Sequence, residues 1–108
     1  MLELNTVKAH CRVDADFTLD DELFKIYSGS AKRHVEKWTR RKLYQAIDEP
    51  GFAEDDDALL LDDDIRSAML LCIGHWYANR EGVVIGETAV NLPLAVQALL
   101  QPYRIYGL

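Results

Sequence analysis

The sequence is poor in cysteine and proline, with two cysteines and three prolines in 108 residues. Two cysteines cannot form the multiple cross-links that stabilise a small secreted domain. Cys11 and Cys72 each lie among apolar neighbours in the sequence. We therefore expect both to be buried free thiols in a protein of a reducing compartment.

The sequence also lacks a long uninterrupted apolar run. Its most apolar stretch, residues 65–80, contains Arg66 and His75. As a helix it would be about 24 Å long, which is too short and too polar to span a bilayer. Because Glu3 and Lys8 interrupt the start of the chain, we expect neither a signal peptide nor contact with a membrane.

An excess of positive charge is missing as well. The formal net charge is −6, from 12 basic and 18 acidic residues. This balance argues against a general nucleic-acid binder, which usually carries a basic surface. The length fits a single domain, 1–108, and 49% hydrophobic residues can form a core. A core of this size stabilises a lone domain only marginally, so assembly with further copies would help.

Motifs of catalysis and cofactor binding are absent from the sequence. It has no glycine-rich phosphate loop, nucleophile elbow, dinucleotide fingerprint or calcium loop. Cys72 and His75 are three residues apart, but structural zinc needs four ligands, and the pair His10–Cys11 would have to lie close by. A Cys–His nucleophile pair would need a third, orienting group. We predict a protein that is not an enzyme and has no metal or cofactor.

The stretch Asp62–Arg80 organises the chain. Its apolar side chains cover nearly the whole circumference of a helix, a pattern typical of a buried helix. Ser67, Gly74 and Ala78 form a line of small residues, which predicts a closely packed neighbour from this chain or another subunit. The sequence therefore predicts an all-α fold, a small bundle of about four helices around a long buried central helix at about 63–80.

Further helices are predicted on either side. Apolar periodicity indicates a helix over Leu19–Thr39, preceded by a capping box at Thr18–Asp21. Residues 5–13 form a short helix with Asn5 or Thr6 as its N-cap. The last helix starts at Leu92–Pro93 and stops at Pro102.

Residues 82–91 are predicted to be a loop or arm, because they contain two glycines and a run of β-branched residues. The exposed aliphatic side chains of Val83, Val84 and Ile85 would need a partner to cover them. Residues 43–61 are irregular, with a turn at Pro50–Gly51 and either a brief extended piece or a lead-in to the central helix at Ala58–Leu61.

Charge is sharply separated along the chain. Residues 32–42 carry six cations, and residues 48–64 carry nine acids and no base. They are either two solvated surfaces or complementary surfaces that meet within the chain or head to tail between copies. Contacts of the last kind generate rings. An alternative is a small DNA-binding regulator that uses the basic patch, although no second helix follows it after a short turn.

Three segments, in order, resemble the tailed-phage head–tail connector proteins, also called DNA-packaging or head-completion adaptor proteins. They are VKAHCRVD at 7–14, HWYANREGVV at 75–84 and LPLAVQALLQPYRIY at 92–106. Cys11 replaces an expected leucine, and the stretch 48–64 has no counterpart in the resemblance.

The resemblance implies a structural protein of the virion with no catalytic site. Its members assemble as a ring, typically dodecameric, beneath the portal protein of a filled capsid. The ring extends the channel for double-stranded DNA, which passes without specific binding, and docks the next head-completion or tail protein. The expected location is the head–tail junction of a virion assembled in the cytoplasm of a host bacterium.

Charge, small residues and the aliphatic arm together select the candidate subunit-interface residues. These are Lys32, Arg33, Lys37, Arg40, Arg41, Lys42, Asp55, Asp56, Asp57, Ser67, Gly74, Ala78, Val83, Val84 and Ile85.

Overall fold

The computed structural model describes residues 2–78 and 94–105. In chain order these form α1 (Leu4–His10), α2 (Asp21–Thr39), β1 (Leu43–Tyr44), β2 (Leu59–Leu60), α3 (Asp63–Ala78), α4 (Leu94–Leu100) and a 3-10 turn (Gln101–Tyr103). The predicted all-α class is confirmed, since the two strands are only two residues each. The predicted arm at 82–91, the last two residues of the predicted central helix and the start of the last one lie outside the described residues.

Helix α3 is the centre of the fold, as predicted. Its buried side chains are Ile65, Ala68, Met69, Cys72, Ile73 and Trp76. They face more than one direction because α3 packs against α2 and α4 and also meets α1. This arrangement accounts for the apolar pattern that runs almost all the way round the helix.

Helix α2 buries one stripe against α3. Phe24, Ala31 and Val35 are fully buried at helical spacing. The ring of Phe24 lies 4.8 Å from that of Tyr77, centroid to centroid, and extends the contact to the end of α3. Aromatic pairs at such distances add to the stabilisation from apolar burial.

The start of α2 differs from the prediction. Asp20 is the N-cap and makes no side-chain cap bond, so the predicted capping box at Thr18–Asp21 is wrong. The carboxylate of Asp20 instead accepts a hydrogen bond of 2.8 Å from the hydroxyl of Tyr77. The Asp20 side chain thus makes a tertiary contact to α3 and does not cap α2.

Helix α1 is tied to α2 by a buried lysine. Lys8 is only 2% exposed, and its Nζ donates to the carbonyl oxygen of Ala15 at 3.0 Å. The same nitrogen lies 2.9 Å from Oδ1 of Asp21, as an ion pair rather than an aligned hydrogen bond. The N-cap of α1 is Glu3, so the predicted cap at Asn5 or Thr6 is wrong.

Strands β1 and β2 pair in parallel, with Leu43 opposite Leu59 and Tyr44 opposite Leu60. The brief extended piece is therefore the better of the two interpretations of the sequence before α3. Residues 45–58 connect the strands through turns. At the other end of the chain, the amide of Ile105 donates to the carbonyl of Thr39 at 3.0 Å, which fixes the tail beside the end of α2.

Within the two described ranges, no helix has both the length and the apolar character needed to cross a membrane.

Candidate functional site

The basic patch, residues 32–42, starts on α2 and continues past its end. The side chain of Arg41, which belongs to this patch, is bound within the chain. Its Nε donates to the carbonyl oxygen of Tyr103 at 2.6 Å, and its Nη1 donates to the carbonyl oxygen of Asp57 at 3.3 Å. The Asp57 carboxylate lies 4.0 Å from the same guanidinium. Part of the predicted charge complementarity is therefore met within the chain.

The other five cations of the patch lie either just after α2 or on α2 itself. Lys42 lies 5.4 Å from the centroid of the Tyr44 ring, and Arg40 closes α2 in a left-handed conformation. Lys32, Arg33 and Lys37 lie on α2 itself and make no ion pair with any residue in the described ranges. These three remain available to an outside partner.

The acidic loop, residues 48–57, is partly held in place by its own side chains. Asp55 accepts a hydrogen bond of 3.1 Å from the hydroxyl of Tyr44 and another of 3.0 Å from the amide of Asp57. Asp56 is exposed and has no partner in the described part of the chain. Of the three predicted interface acids, two shape the loop and one faces outward.

A second acidic surface lies at the start of α3. Asp62, Asp63 and Asp64 line an open depression with Arg66 and Tyr103. The hydroxyl of Tyr103 donates to Asp64 at 2.9 Å, and this hydrogen bond raises the pKa of Tyr103. The described residues contain no group of three side chains suited to hold a metal ion.

The line of small residues on α3 has different surroundings along its length. A Cβ added to Gly74 would lie 2.8 Å from Nε2 of His10, so α1 of the same chain takes up the space beside this glycine. Ser67 and Ala78 are exposed. Their part in an interface, like that of Gly74, stays a prediction, and Val83, Val84 and Ile85 lie outside the described residues.

A groove missed by the sequence analysis runs between the start of the chain and α2. It has a volume of about 350 Å³ and is lined by Leu2, Leu4, Lys25, Ser28, Gly29 and Lys32. Gly29 is exposed in the middle of α2. Gly29 was the signal in the sequence that could have indicated this groove. A glycine on the polar side of a helix lowers helix stability, and no close packing within the chain requires it there.

The two thiols differ in burial. Cys72 is fully buried, and this burial raises its pKa to about 12. Cys11 is only half-buried, so the prediction that both thiols are buried is wrong for this one. Desolvation raises the pKa of Cys11 as well. Because the thiolate is the reactive form, a raised pKa lowers the reactivity of both thiols, and Cys72 is affected most.

We expect Cys72 to be almost inert to alkylation in the folded protein. At pH 8, four units below its pKa, about one thiol in ten thousand is ionised, and the thiolate is the reactive form. Cys11 should react much faster because it is partly accessible. Mass spectrometry after timed iodoacetamide treatment at pH 8, with urea-unfolded protein as control, measures both. Equal rates for the two cysteines in folded protein would contradict this expectation.

Arg41 is expected to stabilise the junction of three segments. Arg41→Ala removes charged hydrogen bonds to Tyr103 and Asp57 and should lower the free energy of unfolding by about 2 kcal/mol. Arg41→Lys should not restore it, because lysine lacks the planar set of donors. Hydrogen exchange should accelerate in 43–61 and at Ile105. Lys37→Ala, an exposed control, should change stability by less than about 0.5 kcal/mol.

The described residues form a small helical unit with opposite charges on separate exposed surfaces, and complementary charge of this kind can guide contacts between proteins. The family model of the phage gp6-like head-tail connector protein matches residues 1–104. The chain belongs to this family and is thus a phage structural protein. The predicted membership of the connector family is confirmed. Comparison with curated proteins and with solved structures gave no match.

Proposed function

We propose that this chain is the protomer of a head–tail connector ring. The ring binds beneath the portal protein, extends the DNA channel and docks the next head-completion or tail protein. The observation that carries the proposal is the family match over residues 1–104, nearly the whole chain. The family is one of phage structural proteins, and we assign this protomer to the head–tail junction of a virion assembled in the host bacterial cytoplasm.

Unpaired charges on different surfaces support a ring. Lys32, Arg33 and Lys37 lie on α2, whereas Asp56 lies on the acidic loop beyond the end of that helix. A contact between two different surfaces of identical copies is heterologous, and it closes into a ring when the rotation per copy permits. A dodecamer is the stoichiometry that we propose, following the resemblance to the connector proteins.

The net charge of −6 suits a channel that DNA must traverse. A wall of like charge avoids the counterion-release term that makes basic proteins bind phosphates. Double-stranded DNA would then pass without specific binding. A lumen lined by Arg40, Arg41 and Lys42 would rule out this part of the proposal.

The proposal is tested by mixing the chain with its cognate portal protein. Light scattering over a range of concentrations gives the mass, and electron microscopy shows whether a ring sits beneath the portal. A monomer that joins a ring only on the portal would support the proposal. A chain that stays monomeric and never binds portal would contradict it.

The DNA-binding alternative has its own measurement. The basic patch, residues 32–42, would contact the phosphates, so duplex binding by the isolated chain should be steeply salt-dependent if it does. Fluorescence anisotropy with labelled duplex at 50 and 200 mM salt decides this. We expect negligible binding at both salt concentrations.

A further inference from the structure

Two helix-interior glycines of this fold have opposite surroundings. Gly74 on α3 is packed against His10, so its missing side chain is explained within the chain. Apart from its chain neighbours and the backbone of its own helix, Gly29 on α2 has no described atom within 4 Å of the position that a Cβ would take. An interior helix glycine lowers helix stability relative to alanine. At Gly29 the described part of the protomer offers nothing that compensates for that loss.

Gly29 lies in the groove of about 350 Å³ described above. Leu2 and Leu4, both half-buried, form its apolar side. On the α2 side, the small residues Ser28 and Gly29 leave space open. Ile26, one turn before Gly29, is 57% exposed. Apolar area left open beside a small-residue floor allows close approach of another backbone.

The rim of the groove is positive. Lys25 and Lys32 line it, and neither makes an ion pair with a residue in 2–78 or 94–105. Arg33 extends the positive charge along the exposed side of α2. The groove therefore fits a partner segment that presents acidic side chains beside a small apolar contact.

The same chain carries such a segment. In the acidic loop, Asp48, Glu54 and Asp56 are exposed and make no hydrogen bond or ion pair with the described residues. Ile47, directly before the loop, is 69% exposed. The acidic loop follows β1 and so lies beyond the end of α2 in the chain. The groove lies beside residues 25–32 of α2. One protomer therefore presents the positive groove and the acidic loop on different parts of its surface.

We propose that the groove at Gly29 receives the acidic loop of a second copy of this chain. This inference rests on the proposed ring function and deepens it by naming the two surfaces that meet. Lys25 and Lys32 pair with the loop carboxylates, Ile47 covers Leu2 and Leu4, and Gly29 lets the loop backbone approach α2. Each copy contributes one groove and one loop, so the contact is heterologous.

The first test separates folding from assembly at one position. Gly29→Ala should raise the Tm of the free protomer by about 4–8 °C, because alanine favours helix and the space is open. Gly29→Leu should also fold, yet it fills the groove and should weaken ring formation on the portal at least about tenfold. Ser30→Leu adds the same side chain at the neighbouring exposed position, outside the groove lining, and should assemble normally.

The second test exchanges charges between the two surfaces. Lys32→Glu and Asp56→Lys should each weaken assembly about tenfold, and the double variant should return to within about threefold of the unaltered chain. Arg12→Glu makes the same charge change at an exposed residue past the far end of α1 and serves as control. Sedimentation with and without portal, followed by electron microscopy, measures ring assembly.

The outcomes distinguish this inference from the ring function. If the unaltered chain forms a ring and Gly29→Leu does so equally well, the groove assignment is overturned and the ring stands. If Gly29→Leu forms rings that no longer bind portal, the occupant is the portal and the second-copy assignment is overturned. If the unaltered chain neither forms rings nor binds portal, both proposals fall. Weakened single variants with recovery in the double variant support the assignment.

Discussion

Replacing Lys8 with alanine is expected to lower the free energy of unfolding by about 3 kcal/mol. The side chain is nearly fully buried and joins α1 to the turn at Ala15 and to Asp21. Removing one partner of a buried ion pair leaves the other poorly solvated, which typically costs about 3–5 kcal/mol. We take the lower end because the Asp21 side chain is 27% exposed. Urea unfolding followed by circular dichroism measures the loss.

Two further variants show how much of that loss of stability comes from the charge and how much from packing. Lys8→Met keeps most of the buried stem but removes the charge, so the difference from Lys8→Ala reports packing rather than pairing. Lys25→Ala removes an exposed lysine from α2 and should change stability by less than about 0.5 kcal/mol. A loss below about 1 kcal/mol for Lys8→Ala would show that the buried pair contributes little.

Phe24→Ala is expected to cost about 3–5 kcal/mol, the range for truncating a buried aromatic residue. Phe24 is fully buried on α2 and contacts Tyr77 on α3. The cavity would therefore open between the two longest helices of the bundle. Because small domains are stable by only about 5–15 kcal/mol, a large unfolded fraction at moderate temperature should follow. Thermal unfolding and amide exchange across α2 and α3 measure the effect.

The matched control for Phe24 is Phe17, which is 40% exposed in the turn before α2. Phe17→Ala should cost less than about 1 kcal/mol, because most of the cost of truncation comes from lost burial and from the cavity left behind. Similar losses for the two variants would mean that α2 is not held to α3 by this ring.

The two long helices could be predicted from the sequence because their apolar residues recur with helical period. Helix α2 ends at Thr39, as predicted, and starts two residues later than predicted, at Asp21. The prediction of α3 as a helix apolar almost all round also indicated neighbours on several sides, which α2, α4 and α1 supply. Periodicity is a strong signal over such lengths because many residues contribute to it.

Contacts that depend on distant parts of the chain could not be predicted in this way. The burial of Lys8 depends on its partners Ala15 and Asp21, and nothing in the sequence around Lys8 indicates them. Strands β1 and β2 are two residues each, too short to leave a pattern, and lie 14 residues apart. The hydrogen bond between Asp20 and Tyr77 joins residues far apart in the sequence, so local spacing could not predict it.

Charge separation along the sequence suggested a candidate interface, which stays a prediction, but it could not show how each charged residue is used. Clusters of like charge are visible in any sequence, whereas the capture of Arg41 by Tyr103 and Asp57 depends on where the tail folds back. The same holds for Gly74 and Gly29, since only the structure shows that His10 fills the space beside one and that the other is open.

Because β1 and β2 pair in parallel, the connection at 45–58 can become longer more easily than it can become shorter. Parallel strands need about a dozen residues or more to return to the same end, so this connection is already close to its minimum. Insertions are cheap, about 0.6 kcal/mol for each doubling of loop length, but deletions would break the pair. Related sequences should accordingly lengthen here far more often than they shorten, and any added residues change the length of the acidic loop without breaking the strand pair.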